Sequence, residues 1–318
     1  MEPMLKVRAK KYKLGRIGVL MGGPSSERQI SLKSGQAVYR ALKEQGLDAV
    51  PLDIRNDPSK RIKKAGISIA FIALHGRFGE DGTIQRILES LHIPYTGSGT
   101  IASYLCLDKI ASRRIFKNYN IPVPEYDILN RKSWKMYFKR LDFKFPVVVK
   151  PSSQGSSIGV SFVDRANKLE QALDYAFSYD ETIIIEKYIE GREVTVGILE
   201  DKPLPVIEIS PLRKFFDFQA KYEKGKSDYI VPARLPPASY SRIQRTGLLA
   251  HQALGCHTFS RVDMILNRGT PYVLEVNSIP GLTSTSLLPM AARAQGISFG
   301  QLCLKIIHSA IKKAEHGK

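Results

Sequence analysis

Residues 16–46, RIGVLMGGPSSERQISLKSGQAVYRALKEQG, decide the fold class. Arg16–Met21 is a short, β-branched apolar run that reads as a buried strand, and Gly22-Gly23-Pro24 ends it in a turn. From Ser34 to Gln45 the apolar residues Ala37, Val38, Ala41 and Leu42 recur at helical spacing. Gly46 then stands where a helix end takes a left-handed residue. Working outward, Val50–Ile54 and Ile67–Leu74 are further strand candidates, and Thr83–His92 repeats the helical pattern through Ile84, Ile87, Leu88 and Leu91. Strand, helix, strand, strand, helix within about a hundred residues predicts an α/β fold built on an open sheet. Functional loops of such sheets lie at the carboxyl ends of strands, where Gly22–Ser31 and His75–Gly82 fall.

The remaining sequence divides into a basic tail (1–15), an N-terminal α/β unit (16–107), a central unit (108–192) and a C-terminal unit (193–318). Lys109–Tyr119 is a basic helix and Ile121-Pro-Val-Pro124 a stiff connector. Phe145–Lys150, Val160–Val163 and Thr182–Glu186 are the central strands. Val194–Leu199 and Val206–Ile209 open the third unit. The polar, charged stretch 215–237 that follows is too long for an ordinary connection and reads as a lid. A helix near Ser241–Leu254, strands Arg261–Leu266 and Tyr272–Asn277, and an amphipathic helix Ser298–Lys313 complete the chain.

Bulk composition excludes several classes. The longest apolar run, Ile67 to Leu74, is too short to span a bilayer, and no apolar stretch follows the basic residues of the tail to make a secretory signal. Three cysteines, Cys106, Cys256 and Cys303, lie far apart without a CxxC, as reduced core thiols of a cytosolic protein do. The formal charge of +18 favours anionic partners. Its lysines and arginines are spread along the chain rather than gathered on a nucleic-acid module, so no nucleic-acid or membrane partner is expected.

Arg261-Val-Asp263 and Glu275-Val-Asn277 are the most informative pair. Residues two apart in a strand share a face. A hairpin turning about Gly269 therefore sets Asp263 opposite Glu275 and Arg261 opposite Asn277. Opposed carboxylates repel, and three oxygen-donor side chains suit Mg²⁺, which shares ligands with phosphates. The alternative is a solvated sheet face with each acid paired to an arginine. Lys150 followed by Gly155-Ser-Ser-Ile-Gly159 is either a phosphate-binding loop or a flexible hairpin turn, and is not a Walker loop. Lys109 at a helix start favours the phosphate reading. Glu27, in the Gly22–Ser31 loop, either meets the ammonium of an amino acid or caps the helix. His75 is either a substrate contact or a buried histidine bonded to backbone.

Taken together, GGPSSERQISLKSG (22–35), ALHGRFGEDGTIQ (73–85), PYTGSG (94–99), KPSSQGSSIGV (150–160), EKYIEGREVTV (186–196), FDFQAKY (216–222), RVD (261–263) and EVNSIPGLTSTS (275–286) resemble the signature segments of the D-alanine–D-alanine ligases of the ATP-grasp superfamily. The resemblance runs in order from about Arg16 to the last helix. It implies a three-domain ATP-grasp fold with ATP clamped between the central and C-terminal subdomains. It further implies Lys109 and Lys150 at phosphates, Glu186, Lys187 and Tyr188 at adenine, and Glu193 at ribose. Asp263, Glu275 and Asn277 would hold two Mg²⁺ ions, with Mn²⁺ able to substitute. Glu27 would hold the first D-alanine's ammonium, His75 would lie near its carboxylate, and Ser286 would grip the second carboxylate. Ser156 and Tyr222 would link Glu27 to the lid, Lys221 would reach the transferred phosphate, and Arg261 with backbone near Gly281 would meet the oxyanion. A cytoplasmic homodimer serving peptidoglycan precursor synthesis is implied as well. Phe78 stands where the family often has glycine, and Gln154 where an acidic or other residue is common. The competing readings are a ligase making D-alanyl-D-lactate or D-alanyl-D-serine, a nucleic-acid-binding protein, and a non-catalytic ATP-grasp binder.

Overall fold

Strand, turn and helix follow one another over residues 16–46 in a computed structural model whose described residues are 14–138, 144–211 and 227–316. β1 (Ile17–Met21) is buried throughout and lies between β2 (Ala49–Asp53) and β3 (Ile69–Ile72) in a parallel sheet of order β2-β1-β3. Parallel neighbours need long crossovers. Helices Arg28–Glu44 and Pro58–Ala65 supply them. The first helix begins at Arg28 rather than at Ser34, because its opening turn is polar and solvent-facing, with even Ile30 47% exposed. Ala70 pairs with Tyr95 in a parallel bridge that widens the sheet.

The second sheet is antiparallel, in the order β4-β7-β5-β6. Its strands are β4 (Tyr126–Asn130), β5 (Val147–Pro151), β6 (Ser161–Val163) and β7 (Thr182–Lys187). Helix Leu169–Phe177 covers one face with Leu169, Ala172, Leu173, Ala176 and Phe177. The third sheet contains β8 (Arg192–Leu199), β9 (Lys202–Pro203), β10 (Ile207–Pro211), β11 (Ser227–Ile230), β12 (Phe259–Asn267) and β13 (Thr270–Asn277). They run antiparallel as β11-β10-β8-β12-β13, with β9 on β8. Of the stretch 215–237 read as a lid, residues 215–226 lie outside the described residues. Ser227–Ile230 forms the edge strand β11, and Pro237 opens helix Pro237–Ala253.

The cores interleave along the chain. Ile17, Val19 and Phe71 of the first sheet share one apolar cluster with Phe259, Leu282, Leu288, Leu302 and Ile306. The last helix, Phe299–His316, packs on Arg28–Glu44. Helix Lys109–Asn118 sends Phe116 into the core of the third sheet, beside Val196 and Val262. Covalent order and packing therefore divide the chain differently, and the loops of the N-terminal unit are held against those of the C-terminal one. All three cysteines are free and buried, with Cys106 and Cys256 Sγ atoms 3.3 Å apart. Among the described residues no helix is long and apolar enough to cross a membrane.

Gly247 sets how closely helix Pro237–Ala253 approaches the third sheet. A Cβ there would lie 2.2 Å from Cγ1 of Val196, a fully buried, β-branched side chain with little room to rotate. Gly247→Ala is expected to lower stability by ~1–2 kcal/mol, overpacking outweighing the ~1 kcal/mol of helix propensity gained. The midpoint of urea unfolding checks it, and an unchanged or raised midpoint would refute the tight approach.

Candidate active site

The β12–β13 hairpin makes the two pairs expected from its sequence, Asp263 with Glu275 and Arg261 with Asn277, but closes one residue tighter at the turn, where Asn267 pairs with Thr270. Arg268 and Gly269 both have positive φ (45° and 82°), the two-residue turn whose twist suits a hairpin. The turn carries the ladder as far as Met264 opposite Val273 and by itself would set Asp263 opposite Leu274; a bulge between Asp263 and Met264 skips Leu274 and brings Asp263 opposite Glu275. Arg261 makes a bidentate pair with Asp263, at 2.8 and 2.6 Å. Thr195 Oγ1 (2.6 Å) and Asn277 Nδ2 (3.0 Å) also donate to Asp263. Burial pushes the Asp263 carboxyl up, but Arg261 and these donors hold it below the ordinary range. Burial works against the Arg261 charge too, yet Asp263, Glu275 and Glu80 keep it protonated.

Between this hairpin and the second sheet lies a cleft of about 880 Å³, counting its solvent-open part. Val148, Val160, Ile189, Ile265 and Leu274 give it apolar walls, and its polar lining includes Lys109, Lys150, Glu186, Lys187, Tyr188, Glu193, Asp263 and Glu275. Apolar walls with a few convergent polar groups are the make-up of a small-ligand site. Asp108 caps helix Lys109–Asn118 by accepting from the N–H groups of Ile110 and Ala111, which fixes Lys109 at the helix start. Lys109 Nζ donates to the Gln154 carbonyl at 2.6 Å and lies 3.4 Å from Glu275. Lys150 Nζ sits 2.6 Å from Glu186. Burial lowers the Lys150 pKa to about 8, against the pull of Glu186. Glu186 is itself gripped by Arg113, and its carboxylate is fully occupied by those two cations. Burial raises the Glu186 pKa, but Arg113, Lys150 and Lys109 hold it low. Lys187 is exposed and Tyr188 packs edge-on against Phe162 at 5.0 Å.

Glu27 lies near two of the cleft residues, Lys109 and Glu275, whose charges act on it. It precedes helix Arg28–Glu44 but makes no side-chain capping bond. Instead its carboxylate accepts from the Ser156 hydroxyl across the gap between units. Gly155 and Gly76 flank it: a Cβ on Gly76 would stand 2.5 Å from Glu27 Oε2. Burial raises the Glu27 pKa and the charge of Glu275 adds to it, while Ser156 and Lys109 oppose. Ser286 opens helix Leu287–Ala294, and its Oγ accepts from Thr283 N–H at 3.1 Å and would touch a Cβ on Gly281. His75 is buried, its Nδ1 3.1 Å from the Ile279 carbonyl and its Nε2 3.0 Å from Ser34 Oγ. Burial drives its pKa to about 4. Phe78 has a φ of 76°, which accounts for the glycine common at that position in the resembled family. Lys221 and Tyr222 lie outside the described residues.

Three features escaped the sequence reading. Arg113, one turn beyond Lys109 on the same helix, shares its face and binds Glu186. Thr195 anchors Asp263 from the neighbouring strand. Glu80, in the ALHGRFGEDG segment, accepts from the N–H groups of Gly76 (2.7 Å) and Ile279 (3.3 Å). Burial, with Glu27 adding to it, raises the Glu80 pKa to about 8. The spacing from Lys109 could have revealed Arg113. Glu80 carried no such signal.

The donor set of the hairpin suits a hard divalent cation. Asp263, Glu275 and Asn277 offer carboxylate and amide oxygens on one sheet face, and the carboxylate of Glu275 is only about one-third exposed. Among the described residues no three His, Cys, Asp or Glu side chains cluster as a closed cage. A site completed by phosphate oxygens and water is what Mg²⁺ prefers.

Residues 115–308 match the family described as D-ala D-ala ligase C-terminus, and residues 16–59 and 55–98 match D-ala D-ala ligase N-terminus. The chain is 48% identical over 302 residues to a D-alanine–D-alanine ligase of Geotalea uraniireducens, covering 95% of this chain and 97% of that protein. It is 49% identical to one of Citrifermentans bemidjiense, over 94% and 97% respectively. The crystal structure of D-alanine–D-alanine ligase from Bacillus anthracis complexed with ATP superposes with a TM-score of 0.84 at 38% identity, covering 96% of this chain and all of that one. The VanG D-Ala:D-Ser ligase of Enterococcus faecalis superposes at 0.81 with 29% identity, covering 94% and 100%. With the hairpin, the cleft and both halves of the sequence in agreement, the chain belongs to the D-alanine–D-alanine ligase family.

Proposed function

We infer that the chain joins two D-alanines into D-alanyl-D-alanine with cleavage of ATP to ADP and phosphate, in the cytoplasm, for peptidoglycan precursors. The observation that carries this reading is the convergence of Lys109, Lys150, Asp263 and Glu275 on one cleft, with the hydrogen-bonded pair Glu27–Ser156 close to Lys109 and Glu275. In this reading the central (108–192) and C-terminal (193–318) subdomains clamp the nucleotide, with its phosphates toward Lys109 and Lys150. Its base would lie along Glu186, Lys187 and Tyr188, and its ribose at Glu193. The carboxylate of Glu186 is committed to Arg113 and Lys150, so its part at the base would be positional. Asp263, Glu275 and Asn277 would hold two Mg²⁺ ions, or Mn²⁺, whose charge would neutralise the phosphates.

A carboxylate is a poor electrophile, so the first D-alanine's carboxylate oxygen attacks the γ-phosphorus. The bond to the β-phosphate oxygen breaks, and ADP leaves a D-alanyl phosphate. Glu27, held by Ser156, would meet the ammonium of that D-alanine. The neutral amine of the second D-alanine then attacks the acyl carbon, phosphate departs, and the amine's extra proton is released. Arg261 and backbone N–H groups near Gly281 would stabilise the oxyanion formed in that step, while Ser286 holds the second carboxylate. Arg261 is largely buried and held in one place by its pair with Asp263, which supports a preorganised role. Lys221 would reach the transferred phosphate, and Tyr222 would complete the network of Glu27 and Ser156. A homodimer is the expected assembly.

ADP release measured over a panel of D- and L-amino acids should be large with D-alanine alone. Release that instead needs added D-lactate or D-serine would move the assignment to those ligases, and no release at all would leave only a nucleotide binder. Arg261→Ala should lower the ligation kcat by ~10²–10³-fold, the usual effect of removing one oxyanion donor, with nucleotide affinity kept. Parallel loss of nucleotide affinity would remove Arg261 from that role. Lys150 loses its proton as pH rises through about 8, so the charge it offers phosphate is present below that pH and lost above it. The Kd for ADP, titrated by fluorescence, should therefore weaken between pH 7 and 9. A flat profile would mean that Lys150 stays charged.

A further inference from the structure

Segment 278–282 follows Asn277, carries Gly281 and leads to Ser286. It is tied to the N-terminal unit by one continuous hydrogen-bonded path. His75 Nδ1 faces the Ile279 carbonyl, which can only accept, so that nitrogen carries the ring proton. The ring is neutral, its pKa driven to about 4 by burial. Nε2 is then an acceptor, and Ser34 Oγ must donate to it at 3.0 Å. The lone pairs left on Ser34 Oγ face the Leu282 N–H at 3.4 Å. At the other end the Ile279 N–H donates to Glu80 Oε1 at 3.3 Å, and Gly76 N–H donates to Glu80 Oε2 at 2.7 Å. The Ile279 residue is thus held through both its N–H and its C=O.

Nothing about a well-packed core requires such a path. Ser34 is wholly buried on helix Arg28–Glu44, and all three side chains spend polar groups on one short backbone segment of a different unit. That segment is where Gly281 lies against Ser286 Oγ. Fixed backbone donors beside a developing charge cost no reorganisation when the charge forms, and small displacements of such groups cost rate rather than binding.

We propose that Ser34, together with His75 and Glu80, is a positioning residue for acyl transfer, locking the backbone from Ile279 to Leu282 so that its donors are aligned with the oxyanion. The proposal rests on the ligase reading given above. It also makes His75 a support for the second half-reaction rather than a group confined to the first substrate's carboxylate.

The test uses the full chain and Ser34→Ala, which removes both the donor to His75 and the acceptor for Leu282. The expected result is a kcat for D-alanine-dependent phosphate release ~10–100-fold lower, as for loss of a buried pair of hydrogen bonds at a reacting centre, with KM for ATP and Kd for ADP unchanged. Hydrogen exchange should quicken in peptides covering 278–286 while strand 261–267 stays as protected as in the wild type. An unchanged kcat, or exchange that quickens equally in both regions, overturns the proposal. If Ser34→Ala does not fold, Glu80→Ala, which removes both acceptors at the far end of the path, is read by the same two measurements. Wild-type protein that releases no ADP with D-alanine would instead refute the ligase reading, whereas the exchange pattern would still report on the path.

Discussion

The register of the β12–β13 hairpin, set jointly by the two-residue turn at Arg268-Gly269 and by the bulge between Asp263 and Met264, is the constraint on which the site depends. A slip of one residue between the two strands would leave Asp263 and Glu275 on opposite faces of the sheet, because side chains alternate along a strand. With the observed register, two carboxylates, an amide and a guanidinium meet on the face that closes the cleft. The like charges that would repel on a bare sheet are held apart in role. Asp263 is satisfied by Arg261, Thr195 and Asn277, whereas Glu275 remains part-exposed beside Lys109.

Desolvation then sharpens each charge. Glu186 sits 3% exposed between Arg113 and Lys150. A buried ion pair of this kind is weak evidence of stability, since removing water from the charges offsets their attraction. Its consequence here is placement: Lys150 cannot swing away without stranding a buried carboxylate. The same burial brings the Lys150 and Glu80 pKa values to about 8, within reach of neutral pH. Perturbed groups of this sort gather at functional sites.

The interleaved packing makes the arrangement a property of the whole chain. Because Phe259, Leu282 and Leu288 share a core with Ile17, Val19 and Phe71, the N-terminal loops bearing Glu27 and His75 are fixed against the loop after Asn277. The chain folds into three sheets, and their apolar cores cross the unit boundaries expected from the sequence. Helix Lys109–Asn118, the first element of the central unit in sequence, is built into the core of the C-terminal sheet.

Local physics was legible in the sequence wherever periodicity was clean. The strand Ile17–Met21 and the helix after it follow from alternation and helical spacing, which depend only on near neighbours, whereas the expected Asp263–Glu275 pair forms through a bulge that the sequence did not reveal. Helix Thr100–Leu107, apolar around most of its circumference, and edge strand Tyr126–Asn130, largely exposed, lack that periodicity and went unread. Long-range partnerships were decided by tertiary structure alone. The sequence left Glu27 between a helix cap and a cleft residue; the Ser156 hydroxyl, 129 residues away, makes the difference. It left His75 between a substrate contact and a buried ring; Ser34 and Ile279 occupy both of its nitrogens. Such pairings depend on which surfaces exclude water together, and no spacing along the chain encodes that.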